Sequence, residues 1–353
     1  MTTFIQLHLL TFAPPANLNR DDTGAPKTAI VGGDTRLRLS SQSLKRAWRT
    51  SDIFRTRLAG RLGDRTQRFG EEIVGRLKQK GVDDKKALEI AREIIVVFGK
   101  PKSENDKNPA YTEQLAFISP AEREAALHLA EKLVAGEKVD DKKKLVGEVL
   151  KRADTAADIA MFGRMFADHP DFNREAAVQV AHAFTTHRVA VEDDYYTAVD
   201  DLNRGENDVG AGFVGEAGFG SGLFYLYVCV DADLLKENLG GDAELAKAAL
   251  AALIEAAAKV APNGKQASFA SRISASYLLA EKGSEQPRTL AGAFAKAIDA
   301  RDVEEKSRAA LRKLRAAFGR AYGEGDLRNL EMSVGEENSA SLEEIIAFAC
   351  DWS

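Results

Sequence analysis

The run RLRLSSQSLKRAWR, from Arg36 to Arg49, sets three serines and a glutamine at the opening of an amphipathic stretch whose outward positions are basic. That is the chemistry of anion binding. The first turn of a helix leaves backbone N–H groups without intrahelical partners and carries a partial positive charge, and both attract phosphate. Ser40, Ser41, Gln42 and Ser43 add side-chain donors there, while Lys45, Arg46 and Arg49 add charge on the solvent side of the first two turns. A second reading of the same residues is a solvated helix face with ordinary serine caps.

The chain of 353 residues carries a net charge of -5, which taken alone argues against a nucleic-acid partner because Lys and Arg supply that affinity. The charge is unevenly spread. From Arg20 to Phe69 stand 12 basic residues against 5 acidic ones, so one strongly electropositive segment sits in an otherwise acidic chain. Other constellations carry less. His182 and His187 are five apart, about 140° apart on a helix and on opposite faces of a strand, so they read as structural rather than as joint metal ligands. The pairs Asp193/Asp194 and Asp200/Asp201 suggest a divalent-ion site, but adjacent acids point apart, and solvated loop acids are the simpler reading. VGGD, Val31 to Asp34, lacks the lysine and Ser/Thr of a nucleotide-binding loop.

Several elements must hold these residues. The composition, 44% hydrophobic and 29% charged, suits a soluble globular chain rather than a disordered or membrane one. Cys229 and Cys350 lack metal-ligand or CxxC spacing, which points to a reduced, intracellular setting. The apolar opening has no basic n-region and alternates like a strand over Phe4 to Thr11, with Ile5, Leu7 and Leu9 on one side and Gln6, His8 and Leu10 on the other. A long polar loop follows. Thr35 to Leu39 reads as a second strand with Arg36 and Arg38 on one face, and the next segment as a helix burying Leu44, Ala47 and Trp48. Arg65 to Lys151 is charged and helical in period, a helical insertion. Strand-like runs resume at Ile159 to Gly163, Ala177 to Thr186 and Gly222 to Asp231. Seven glycines between Gly205 and Gly222 suit a protruding hairpin whose apolar members are Val209, Phe213, Val214 and Phe219. The Ala-rich stretch 243–261 carries Glu244, Lys247, Glu255 and Lys259, so it is a soluble helix and not a membrane span. The order predicts an α+β fold, a split ferredoxin-like sheet with two insertions.

Eight segments recur here in a familiar order: LNRDD, Lys27, VGG, RLRLSSQSLKRAWR, FGRM, AHAFTTH, TAVDDL and SGLFY. In these the chain resembles the CasC family, the repeating backbone subunit that binds CRISPR RNA in the type I-E Cascade complex. The likeness is strongest over roughly the first 60 residues and from about 150 to 235. It implies a right-hand shape: an RRM-like palm (1–60 and 156–353), helical fingers (61–155) and a thumb hairpin (192–222). It also implies that Arg20, Lys27, Ser40, Gln42, Lys45, Arg46, Arg49 and Arg164 hold RNA, that guide bases pack on Met165, and that Phe213 and Val214 displace a base. Asp34 departs from the family, which has a basic residue there, and the thumb loop is longer and richer in glycine.

The resemblance implies a non-catalytic, cytoplasmic subunit with no metal or cofactor. Its partners would be CRISPR RNA, neighbouring copies of itself, other Cascade subunits and, through the guide, target DNA; no membrane is expected. The physics agrees, since gripping a strand regardless of sequence needs cations along its backbone and apolar surfaces that accept any base. Two rivals stand beside it: a metal-dependent ribonuclease of a related complex using Asp21, Asp22 or Asp34, and a general single-strand RNA binder outside CRISPR.

Overall fold

The computed structural model describes residues 2–137, 141–198 and 213–352, with Lys142 described by its backbone alone. Val209, Asp200 and Asp201, named above, lie outside the described residues. The chain forms two compact units. One holds the chain through Phe54, Val180–Val230 and Ala251–Trp352; the other holds Arg55–Gln179 and Asp231–Leu250. Against the expected palm and fingers, residues 55–60, 156–179 and 231–250 fall with the helical unit. Their bonds explain it: Ala157 donates to the Arg61 carbonyl at 2.7 Å, and Asn238 Nδ2 donates to Ala160 and Glu175 carbonyls at 3.1 and 2.9 Å.

The first unit is built on β1 (Phe4–Ala16), α1 (Ser41–Arg49), β2 (Ala183–Thr185), β3 (Phe213–Asp231), α2 (Ala243–Lys259, of which the part from Ala251 belongs here) and β4 (Ala275–Gly283). The strands lie in the order β4-β1-β3-β2, which is the βαββαβ arrangement of a ferredoxin-like or RRM-like sheet. Arg328–Ser333 extends the sheet beside β4, and Asp34–Leu39 followed by Thr28–Val31 extends it beside β2. The fold is α+β, as the element order predicts.

β1 is central, and it is buried on both faces rather than alternating between core and water. On one face Leu10 packs with Leu223, Tyr225, Tyr277, Phe294 and Leu311. On the other, Thr11 lines a small cavity together with Phe224, Leu226, Leu44 of α1 and Ala257 of α2. Two polar members of β1 therefore need internal partners. His8 has none of its surface exposed; Tyr225 Oη donates to its Nδ1 at 2.9 Å and its Nε2 donates to Glu281 at 3.2 Å, while Arg315 reaches the other Glu281 oxygen at 2.8 Å.

The VGG segment is a hairpin turn. Val31 pairs with Asp34, so Gly32 and Gly33 form a two-residue loop with φ of 59° and 87°, the left-handed pair that a type I′ turn demands. Part of the long polar loop is therefore strand, and β1 runs on to Ala16.

The helical unit packs Phe69–Gln79, Asp84–Ile95 and Pro120–Val134 around Ile73, Leu77, Ile90, Ile94 and Leu127. The run from Ile159, expected as strand, is a helix, Ala157–Phe162, closed by Gly163 at φ 78°. Ile159, Ala160 and Met161 are all buried, and a short run apolar on every side carries no period by which helix and strand differ. Among the described residues no helix is long and apolar enough to cross a membrane.

Candidate nucleic-acid interface

Asp34–Leu39 runs straight into α1 through Ser40. Ser40 is the N-cap: its Oγ accepts the Ser43 N–H at 3.3 Å, and its own N–H donates to Asn19 Oδ1 at 2.8 Å. Asn19 is thus a hub for the preceding loop, because its carbonyl accepts the Lys27 N–H at 2.9 Å while the Lys27 carbonyl accepts from Arg38 at 2.8 Å. The loop closes on itself. Asp21 Oδ1 accepts from Thr23 N, Thr23 Oγ1 and Ala25 N at 2.9, 2.7 and 3.1 Å, and Arg20 and Pro26 form an antiparallel bridge. The Thr23 hydroxyl above all holds the Asp21 carboxyl below its ordinary value. The loop that carries Arg20 and Lys27, about 20 residues upstream of α1 at its start, is in this way tied by its backbone and the Asn19 side chain to the opening of that helix.

α1 buries Leu44 and Trp48, and the Trp48 indole N–H donates to the Val260 carbonyl at 3.1 Å. Gln42 and Arg46 are exposed on its other face, with Lys45 and Arg49 half-buried beside them. Burial pushes the Lys45 ammonium below its ordinary value. No acidic residue stands in the first turn, so nothing there opposes the positive end of the helix. Of the expected set, Ser40 faces inward as the cap, while Arg20, Lys27, Gln42, Lys45, Arg46 and Arg49 reach the surface.

Two further residues belong to this corner. Arg38 Nη1 donates to His182 Nδ1 at 2.9 Å, and the Ser41 N–H donates to the same nitrogen at 3.3 Å. The sequence paired Arg38 with Arg36, but Arg36 is 0% exposed and points into the core, donating to Thr185 and Phe294 carbonyls. His187 matches its structural reading, donating to the Arg188 carbonyl and accepting the Leu223 N–H.

In the helical unit, Met165 is 81% exposed, immediately beyond the Gly163 turn. Its neighbour requires a correction. Arg164 does not face solvent; its Nη2 donates to buried Glu122 at 2.9 Å, its Nη1 to the Phe117 carbonyl at 3.1 Å, and its guanidinium lies over the Phe166 ring. A fully desolvated ion pair is a structural clasp, not a phosphate grip.

The expected hairpin arm exists as Glu192–Ala198 paired antiparallel with the start of β3, from Ala198↔Phe213 to Glu192↔Phe219. Every residue of Glu192–Ala198 is exposed. Phe213 and Val214, both expected at the wedge, are exposed, but as successive strand residues they occupy opposite faces. Phe213 lies 6.2 Å from the Tyr196 ring, whereas Val214 stands across from Thr197.

A family model described as "CT1975-like protein" matches residues 5–349. The chain belongs to the CT1975-like family. The CasC resemblance read from LNRDD, LSSQSLKRA and AHAFTTH is thereby borne out. This CT1975-like chain is similar to a solved chain titled "CRISPR RNA-guided surveillance complex, pre-nicking", with a TM-score of 0.84 and 29% identity over 98% of this chain and 99% of that one. Another, titled "CRISPR RNA-guided surveillance complex", gives 0.77 and 24% over 99% and 100%, a likeness of fold. No curated protein sequence matches the chain. Within this CT1975-like protein, Asp21 is committed to bracing its loop, and Asp193 and Asp194 lie opposite Gly218 and Ala217 on alternate faces of the arm.

Proposed function

We propose that this chain is a guide-RNA-binding backbone subunit of a CRISPR surveillance complex. The observation that carries the reading is the corner at Ser40, where a capped helix start free of acids gathers Arg20, Lys27, Lys45, Arg46 and Arg49 from three stretches of sequence. That is the equipment for following a phosphate backbone without reading its letters. Exposed Met165 and the aromatic arm add surfaces on which any base can pack.

In its finer form the proposal is a non-catalytic, cytoplasmic subunit of type I-E Cascade. Copies stack head to tail along the spacer, each arm displaces a guide base, and target DNA pairs with the guide in the intervals, sequence recognition being delegated to base pairing. In this reading the loop acids Asp21 and Asp22 and the strand-end acid Asp34 cleave nothing.

Binding of the chain to an unstructured oligoribonucleotide across a salt series tests it. A steep log-log dependence is expected, about 0.7 per neutralised phosphate, with little sequence preference. Lys45→Glu and Arg49→Glu each flatten it; if charge reversal at both left RNA binding and assembly unchanged, the reading would fail. Incubating the assembled complex with magnesium and complementary RNA tests the absence of catalysis, which cleavage abolished by Asp22→Ala would overturn.

A further inference from the structure

We propose that His182 is a positioning residue for RNA, fixing Arg38 against the opening of α1 so that Arg38 joins the phosphate-gripping set. The proposal rests on the RNA-binding reading and adds two residues to it. His182 Nδ1 faces two groups, the Arg38 guanidinium at 2.9 Å and the Ser41 N–H at 3.3 Å. Neither can accept a hydrogen bond, so Nδ1 must be the acceptor for both and the ring proton must sit on Nε2. The tautomer is therefore set by its surroundings.

That arrangement solves a particular problem. Arg38 sits at the end of a strand and carries a long side chain whose freedom would be lost on each binding event. An acceptor that holds the guanidinium before RNA arrives removes part of that loss. A carboxylate in the same place would hold it more firmly, but it would also cancel the charge that phosphate needs and stand beside the α1 N-terminus as a competing anion. A neutral imidazole orients the cation without neutralising it. Burial first, then the charges of Arg38 and Lys27, lower the His182 pKa and favour the neutral ring. The bracket also occupies the Ser41 N–H while Ser40 occupies that of Ser43, so Arg38 is tied to the turn that Lys45 and Arg46 flank.

The test uses the full chain and an unstructured oligoribonucleotide titrated across a potassium chloride series, with thermal unfolding of each variant as the check on folding. Arg38→Ala is expected to weaken binding about tenfold and to lower the log-log salt slope by about 0.7. His182→Ala weakens binding several-fold, and the double variant binds no more weakly than Arg38→Ala alone, the signature of two residues acting as one. His182→Asn, whose amide oxygen can stand near the Nδ1 position, restores binding; His182→Gln, which places its amide near Nε2, does not. The proposal is overturned if Arg38→Ala leaves the slope unchanged, if the two substitutions add, or if His182→Gln rescues and His182→Asn does not. Failure of the unaltered chain to bind RNA at any salt concentration would instead strike the RNA-binding reading itself.

Discussion

The indole N–H of Trp48 donates to the Val260 carbonyl at 3.1 Å, from a ring with no solvent exposure. The basic face of α1 is thus held from behind. Trp48→Phe is expected to cost about 1 kcal/mol for the lost hydrogen bond, and Trp48→Ala about 3–5 kcal/mol with the added cavity. Urea unfolding measures both.

Arg164 and Glu122 separate a structural cation from a binding one. Arg164→Met leaves the Glu122 carboxylate buried without its partner and is expected to destabilise the protein by about 3–5 kcal/mol. Where the variant is folded, its RNA salt slope equals that of the unaltered chain. A flattened slope would return Arg164 to the phosphate-binding set.

Stability should fall on mild acidification. Burial lowers the His8 pKa from its ordinary 6.5, so the native ring stays neutral while the unfolded chain takes up a proton. Burial opposes the charge of Glu281, yet the bonds from His8 and the Arg315 charge hold its pKa below 4.5. Both shifts have one sign: the unfolded state binds more protons, so stability is complete above about pH 6.5 and declines below it, with Glu281 adding its loss below about pH 4.5. Unfolding midpoints measured from pH 8 to 4 check this, and His8→Gln should flatten the upper part of the decline.

The arm depends on a glycine. A Cβ at Gly215 would come within 2.5 Å of the Tyr196 ring, which lies across the strand from it and beside Phe213. Gly215→Val is expected to push Tyr196 away from Phe213 while changing global stability by less than about 0.5 kcal/mol, because the arm is exposed. If Phe213 displaces a guide base, the variant assembles on RNA less completely. Analytical ultracentrifugation with and without RNA compares it with Tyr196→Ala, which should behave alike.

Features that depend on local order could be read from the residues directly. The serine cap, the Leu44 and Trp48 stripe, the arm and the α+β class were legible because caps, helical period and glycine clusters act within a few residues. So was the CasC likeness, carried by contiguous segments. Tertiary structure decided what depends on burial from outside the segment. Arg36 and Arg38 alternate identically in sequence, yet one is sealed under the Phe294 carbonyl and the other meets His182, and no local pattern separates them. Arg164 became half of a buried pair only because Glu122, distant in the chain, arrives beside it. The Ile159 run is a helix buried on all sides, and that burial erased the period that would have announced it.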